Sequence, residues 1–274
     1  PRSMPMLAHA PAFGETITPR KQDNGALRAG NHTLPTESSE DLLVTSNDGR
    51  VLTVSLPDQG DGYRFETSTS DTAQYSDTVT GSDLMIQSNE DGQVRVITTI
   101  PDAESEHRFE YVIDDEYSVT EDGTGGLLAY RFVDAPNETG QESFDLVAIK
   151  APWATAADGK EVPTHYEIRG NTIIQVVEPT GDTAYPISAD PTWEWYDAAY
   201  GAGWNKSETR NLLKYKSASG LCAALSGALK PVCVVGATSW ILNTQYAVDR
   251  GGCVFYAIAP VPVGLNYDKS KHCR

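Results

Sequence analysis

The sequence lacks the motifs by which most enzymes are identified. It has no Gly-x-Ser-x-Gly elbow of a serine hydrolase, no phosphate-binding loop and no dinucleotide-binding fingerprint. Its five histidines are isolated from one another, so no paired zinc ligands occur. We therefore expect a non-enzymatic protein with no catalytic residues, no cofactor and no metal.

No run of 18 uncharged apolar residues starts near the N-terminus, and we see no intact signal peptide there. The triplet Ala8-His9-Ala10 resembles a signal-peptidase site, but no hydrophobic segment precedes it. We expect a secreted, mature chain from which the signal peptide has been removed.

Basic residues are scarce except at the C-terminal end. The chain carries a net charge of −17, whereas residues 191–274 contain nine basic and five acidic residues, a net of +4. Residues 1–190 therefore carry −21. Because a strongly acidic region repels phosphate, nucleic acid is a poor partner for it. Such an asymmetry indicates separate domains or an interaction surface.

Cysteine is also rare, and its four positions are clustered at the C-terminal end. An even number of cysteines without metal-type spacing favours disulfides and an extracellular location. Three pairings are possible, and we choose the one in which each bond closes a local loop. The predicted structural disulfides are Cys222–Cys233 and Cys253–Cys273.

Residues 41–190 read as about eleven short alternating runs separated by turn signals, five of which are Asp-Gly pairs. This pattern predicts an antiparallel β-sandwich or barrel. Residues 1–40 are rich in Pro, Gly, Ser, Thr and charge, which predicts a disordered or loosely packed leader. The fold class is thus mainly β with a small α+β tail.

The pattern changes to a helical period after Pro191. Asn205 and Glu208 fit a capping box, after which apolar residues predict one helix reaching Leu229. Pro231 suits the first turn of a second helix that runs from Val232 to about Val248. The last residues predict two short strands. We expect residues 191–274 to form a basic, apolar helical hairpin plus a β-ribbon.

Residues 150–215 contain the strings YPISADPTW (185–193) and WNKSET (204–209). They resemble a family of secreted actinobacterial proteins in which a β-rich region ends in a YPxxADPTW signature, followed by a Cys-containing helical tail. That family has no established activity. The resemblance therefore implies export, a Gram-positive source and a two-part architecture, and it assigns no catalytic residue.

Aromatic residues crowd around the predicted domain boundary. We expect them to form a buried seam between the β domain and the tail, because large aromatic side chains bury much area. The alternative is a platform on which a ligand stacks. The residues concerned are Trp193, Trp195, Tyr196, Tyr200 and Trp204.

The second predicted helix is apolar almost all round, which is typical of a helix that is fully buried or placed against lipid. Flanking basic residues would favour anionic lipid. We take Lys230, Val234, Val235, Trp240 and Ile241 as candidate contacts to a membrane or a target protein.

A loop rich in acidic residues is a weak candidate for calcium, which prefers six to eight oxygen ligands. It lacks the order of ligands of an EF-hand, and charged loops are usually solvated. Its residues are Asp114, Asp115, Glu116 and Asp122.

Three hypotheses of function follow from these features. The first is a secreted, non-enzymatic effector or bacteriocin-like protein, whose C-terminal unit engages a membrane or protein target while the acidic β domain carries it. The second is a cell-envelope binding module for carbohydrate or protein. The third is an extracellular hydrolase, which the missing catalytic motifs disfavour.

Overall fold

The computed structural model describes residues 7, 9–57, 62–69, 71–76, 82–133, 143–196, 199–225, 229–268 and 273–274. The predicted fold class is confirmed, because these residues form antiparallel sheets with a small helical region near the C-terminus that is followed by strands. The chain divides into two compact units. The first comprises Pro1–Tyr117 and Ala148–Trp195, and the second comprises Ser118–Val147 and Tyr196–Arg274.

The first unit contains one sheet of eight strands in the order β1-β2-β3-β4-β5-β10-β16-β15. Its strands are β1 (Arg20–Lys21), β2 (Leu27–Ala29), β3 (His32–Leu34), β4 (Leu42–Thr45), β5 (Val51–Ser55), β10 (Arg108–Ile113), β15 (Thr164–Arg169) and β16 (Thr172–Val177).

The second sheet of this unit runs in the order β18-β9-β8-β7-β6, and β17 pairs with both β9 and β14. Its strands are β6 (Arg64–Ser68), β7 (Ala73–Ser76), β8 (Asp83–Ser88), β9 (Gln93–Ile100), β14 (Trp153–Thr155), β17 (Ile187–Asp190) and β18 (Thr192–Tyr196).

Asp-Gly turns join neighbouring strands at the predicted places. Gly49 and Gly92 have φ of +87° and +79°, which only glycine adopts without strain. Each closes a tight turn, since the Gly49 amide donates to the Ser46 carbonyl (3.1 Å) and the Gly92 amide to the Asn89 carbonyl (3.1 Å). These turns set the hairpins β4–β5 and β8–β9.

The two sheets of the first unit pack face to face as a sandwich. Tyr111 of β10 meets the Trp193 ring of β18 edge-on, with 6.3 Å between the ring centroids. The Tyr111 hydroxyl also lies 3.3 Å from the Thr98 hydroxyl of β9. Because Tyr111 and Trp193 are both fully buried, the region between the sheets is the core of this unit.

The prediction of a disordered or loosely packed leader at 1–40 is wrong for its described residues. Strands β1 to β3 lie within it, and Phe13, Leu27 and Leu34 are buried. The low hydrophobicity of the segment suggested disorder, but these few apolar side chains are spaced so that each reaches a core that the rest of the sheet supplies.

The division of the chain also differs from the predicted boundary at residue 190. Strands β17 and β18, on either side of Pro191, both pair with β9. Pro191 has no N–H to donate, but its carbonyl accepts a hydrogen bond from the Val96 amide (3.1 Å) and keeps the chain in the sheet. The first unit therefore continues to Trp195, and residues 118–147 belong to the second unit.

The second unit combines strands with three helices in its described residues. Strands β19, β20 and β21 form an antiparallel sheet in that order, and β11 pairs with β12. The elements are β11 (Ser118–Glu121), β12 (Leu127–Val133), β13 (Ser143–Ile149), β19 (Tyr200–Gly203), α1 (Lys206–Leu212), α2 (Ala218–Ala224), α3 (Leu229–Asp249), β20 (Cys253–Ala259) and β21 (Gly264–Tyr267).

The predicted capping box is confirmed, since the Asn205 side chain accepts from the Glu208 amide (2.9 Å) and Glu208 accepts from the Asn205 amide (2.9 Å). The prediction that a single helix follows the capping box is wrong. The chain forms two short helices because Ser217 adopts an extended conformation and caps a new helix by accepting from the Gly220 amide (3.2 Å).

Candidate functional site

Helix α3 packs one side on the strands β20 and β21. Its buried residues recur every three or four positions, which is the spacing of one helical face. The largest is Trp240, which stacks on Tyr256 of β20 with 4.7 Å between ring centroids and 8° between planes. One turn later, the Thr244 hydroxyl is hydrogen-bonded to the Tyr256 hydroxyl. These contacts fix how α3 is rotated about its axis.

Gly236 is required by this packing. A Cβ atom at this position would lie 2.6 Å from the Trp240 indole, closer than side-chain atoms approach one another. The indole therefore covers the backbone one turn before it. The sequence Gly-x-x-x-Trp thus determines which side of a helix with apolar residues on more than one side faces the core.

The opposite side of α3 exposes large apolar residues, which we call the α3 face and define as Val234, Val235, Leu242 and Tyr246. Their exposed fractions are 81%, 72%, 65% and 47%. Positions 234, 235, 238, 242 and 246 follow the helical repeat, with the exposed Thr238 at the middle. Exposed apolar side chains that are grouped on one side of a helix mark interaction sites more often than scattered ones do.

The ends of the α3 face are polar. Lys230 is exposed in the first turn. At the other end, Gln245 donates to the Asp249 carboxylate (2.7 Å), and the Arg250 guanidinium lies 3.6 Å from the centroid of the Tyr246 ring. Polar residues at the ends of an apolar surface are usual at protein interfaces.

The structure separates the five residues proposed as contacts to a membrane or target. Lys230, Val234 and Val235 are exposed, Ile241 is half-buried, and Trp240 is fully buried. The prediction for Trp240 is therefore wrong, because its ring packs on Tyr256. Sequence reasoning missed Leu242 and Tyr246, which could have been found by placing Trp240 inside and taking the opposite helical positions.

The charge of the compact units differs from that of the linear segments. Residues 118–147 contain six acidic residues and one arginine, and residues 196–274 contain nine basic and four acidic residues. The second unit is thus formally neutral, and the first carries the whole −17. The prediction of a basic C-terminal unit is therefore wrong, because the acidic residues 118–147 also belong to that unit. Within the described residues, no helix is both long and apolar enough to cross a bilayer.

The predicted disulfide pairing is confirmed. Cys222–Cys233 joins α2 to the second turn of α3, next to the α3 face, and Cys253–Cys273 joins the start of β20 to the C-terminal segment. Both bonds lie in the second unit. Two disulfides are compatible with an extracellular protein.

The two disulfides are expected to differ in their reaction with reductant. Cys222 is half-buried, whereas Cys253 is fully buried and Cys273 is 5% exposed. Since exchange requires access to a sulfur atom, mild reduction should open Cys222–Cys233 first. Alkylation followed by peptide mass spectrometry measures this. In denaturant both bonds should open together, and a native protein in which Cys253–Cys273 opens first would contradict the structure.

Three of the five aromatic residues that were predicted to form a seam contact residues of their own unit. Trp193 packs on Tyr111, and the indole of Trp195 donates to the Val44 carbonyl (2.8 Å). Trp204 lies 4.5 Å from Tyr256, measured between ring centroids.

These positions also bear on the ligand platform. Trp193 is fully buried and Trp195 is half-buried under the Arg50 guanidinium, 5.0 Å from its ring centroid. Trp193 therefore offers no open face for stacking, and Arg50 covers one face of the Trp195 ring. Of the remaining aromatic residues in this group, Tyr196 is half-buried and Tyr200 is 64% exposed.

The acidic loop does not assemble a calcium site. The Asp114 carboxylate accepts from the Thr53 amide (2.9 Å), and that of Asp122 accepts from the Thr124 and Gly126 amides (2.7 and 3.1 Å). Asp115 and Glu116 are exposed residues. Among the residues that the structure describes, no three His, Cys, Asp or Glu side chains are placed to hold a metal ion.

Burial shifts the pKa values of one histidine and one carboxyl group in the first unit strongly. Burial lowers the pKa of His32 to about 4, and its Nδ1 accepts from the Thr45 amide (3.1 Å), so the ring is a neutral part of the core. Burial raises the pKa of Asp190 to about 7, against the hydrogen bond from Thr192 and the charge of Arg95. Sequence reasoning treated Asp190 only as the end of a strand.

Comparisons with protein-family models, curated proteins and solved structures give no match for the chain. The candidate site is therefore defined by its own geometry, an apolar helix face on a disulfide-linked unit with no net charge.

Proposed function

We propose that this is a secreted, non-enzymatic effector that acts by binding another protein through the α3 face. The observation that carries the proposal is the exposure of Val234, Val235, Leu242 and Tyr246 on one side of a helix whose other side is anchored by Trp240. Because the anchored side fixes the helix, the exposed side is a preformed surface. The two disulfides and the resemblance to exported actinobacterial proteins support an extracellular location.

A protein partner fits this surface better than an anionic membrane does. Helices that bind anionic lipid surround their apolar face with many Lys and Arg residues. Helix α3 contains Lys230 as its one basic residue, and the unit that bears it has no net charge. Tyr246 and the neighbouring Arg250 are also residue types that are enriched in protein interfaces.

The binding function is carried by a surface and not by a catalytic arrangement. Asp190 and His32, the described groups with the largest shifts among acids and histidines, are both buried in the first unit and serve its internal hydrogen bonding. They are distant in sequence from the α3 face and belong to the other compact unit.

The proposal can be tested by photo-crosslinking. A benzoylphenylalanine placed at position 235 of the full chain is irradiated with secreted and cell-envelope proteins of an actinobacterium. We expect a discrete adduct with one protein. The same photoreactive residue at position 168, which replaces an exposed isoleucine (38%) of the first unit, is the matched control and should not give that adduct.

Three outcomes would contradict the proposal. The first is that positions 235 and 168 give identical adducts. The second is that position 235 gives an adduct only with a second copy of the chain. The third is that no adduct forms and the protein floats with phosphatidylglycerol vesicles. The last outcome would establish the membrane interpretation instead.

A further inference from the structure

Residues 11–17, which we call the N-terminal strap, run antiparallel to the end of β8 and the residues that follow it. The Ile17 amide donates to the Ser88 carbonyl (2.8 Å), and the Glu90 amide donates to the Glu15 carbonyl (3.0 Å). These two bonds flank an antiparallel bridge and have the geometry of an added strand.

The strap occupies a part of β8 that β7 leaves open. Strand β7 pairs with β8 only as far as Ala73 opposite Ile86, so the backbone of β8 beyond Ile86 lacks β7 as a neighbour. The strap takes that place at Ser88 and continues along Glu90, which follows β8. Addition of an extended segment to an open sheet edge is a recurring mode of peptide recognition, in which backbone bonds provide affinity.

A pocket next to this edge provides specificity. The guanidinium of Arg95 lies 4.3 Å from the centroid of the Phe13 ring and 5.9 Å from that of Trp153. Its Nη1 donates to the Pro11 carbonyl (2.9 Å), while Asn89 Nδ2 donates to the Phe13 carbonyl (2.5 Å). The pocket thus recognises an aromatic side chain and a carbonyl two residues before it.

The pocket is held in place by groups other than the strap. The Nε of Arg95 donates to Gln87 Oε1 (2.8 Å) on the neighbouring strand, a bond that does not involve the strap. The buried carboxyl group of Asp190 attracts the guanidinium in its ionised form. A site that is organised by its own sheet keeps its shape when the strap leaves, which is what binding in trans requires.

We propose that this sheet edge is a peptide-recognition site, which the strap occupies in cis and which takes an extended segment of another chain with an aromatic residue two positions after a recognised carbonyl. The strap is tethered to the site and therefore competes with any segment of another chain at a high effective concentration. A segment of another chain thus binds well only when the contacts of the strap with the site are weakened. The site lies in the first unit and does not depend on the α3 face.

The test uses a fluorescein-labelled peptide with the sequence of residues 9–18, HAPAFGETIT, and full-length protein. Phe13→Ala in the protein removes the ring from the strap and leaves Arg95 and Trp153 intact. In fluorescence anisotropy, we expect the peptide to bind this variant at least ~30-fold more tightly than it binds the wild type. On the same variant, a peptide with alanine in place of its phenylalanine should bind at least ~10-fold more weakly.

A second variant keeps the test valid if Phe13→Ala fails to fold. Ile17→Asp weakens the other end of the strap at a half-buried position, and near-UV circular dichroism reports whether each variant is folded. The proposal is overturned if a folded variant shows no binding up to about 1 mM peptide. It is also overturned if wild type and variants bind equally, or if the alanine peptide binds as well as the parent.

Discussion

Replacement of Trp193 by alanine is expected to lower the free energy of unfolding by roughly 3–5 kcal/mol. The side chain is fully buried between the two sheets of the first unit, where it meets Tyr111 edge-on. Its removal leaves a cavity that the paired strands cannot close, because β18 is held in register on β9. Urea denaturation followed by far-ultraviolet circular dichroism measures the loss.

Trp195→Ala is the matched control, because it removes the same side chain two residues away on the same strand. Trp195 is half-buried and contributes a hydrogen bond to the Val44 carbonyl and a contact with Arg50. We expect a loss of about 1–2 kcal/mol from these contacts. An equal or larger loss for Trp195→Ala would mean that Trp193 is not the central residue of the sandwich.

The second large effect concerns pH and Asp190. Burial raises the pKa of this carboxyl from 3.8 to about 7, so the folded state binds a proton that the unfolded state has lost. The contribution of the protonated Asp190 to the free energy of unfolding is therefore complete below about pH 4 and is lost as the pH rises through about 7. The shift corresponds to roughly 4 kcal/mol over this range.

The measurement is the free energy of unfolding of wild type minus that of Asp190→Asn, taken from pH 4 to pH 8. This difference isolates Asp190 from the other carboxylates, and we expect it to fall as the pH rises. Asp115→Asn, at an exposed acidic residue, is the control for removal of one carboxyl from the surface. A difference that increases with pH would show that the attraction of Arg95 outweighs burial.

The hairpins of the first unit could be predicted from the sequence because their signals are local. Asp48-Gly49 and Asp91-Gly92 each place a glycine where the backbone needs a positive φ, and the alternating residues on either side determine which face is buried. The capping box at Asn205 and the disulfide pairing followed in the same way, from short separations along the chain.

The leader and the domain boundary could not be predicted because they depend on distant residues. Phe13 is buried under Arg95, which follows it by more than eighty positions, and nothing in residues 1–40 identifies that partner. Likewise, β12 joins the second unit because Tyr130 and Leu128 pack with Phe255 and other residues of β20 and β21. Composition alone indicated only the acidic character of these segments.

The candidate site was predicted in part. The apolar composition of residues 232–248 indicated an unusual helix, but a helix that is apolar all round does not show which side is buried. Packing of Trp240 over Gly236 decides this and leaves Leu242 on the outside. The acidic segment 118–147 then removes the net charge that had suggested a lipid partner.

The claim that a partner protein docks on the α3 face is tested most directly by competition for the adduct at position 235. Unlabelled wild type, Leu242→Glu and Ile168→Glu are compared as competitors, since both variants place an acid at an exposed apolar position. We predict that wild type and Ile168→Glu halve the adduct at the same concentration. Leu242→Glu should require at least ~30-fold more, because a buried leucine contact is lost and a charge is desolvated. Equal competition by Leu242→Glu would contradict the account.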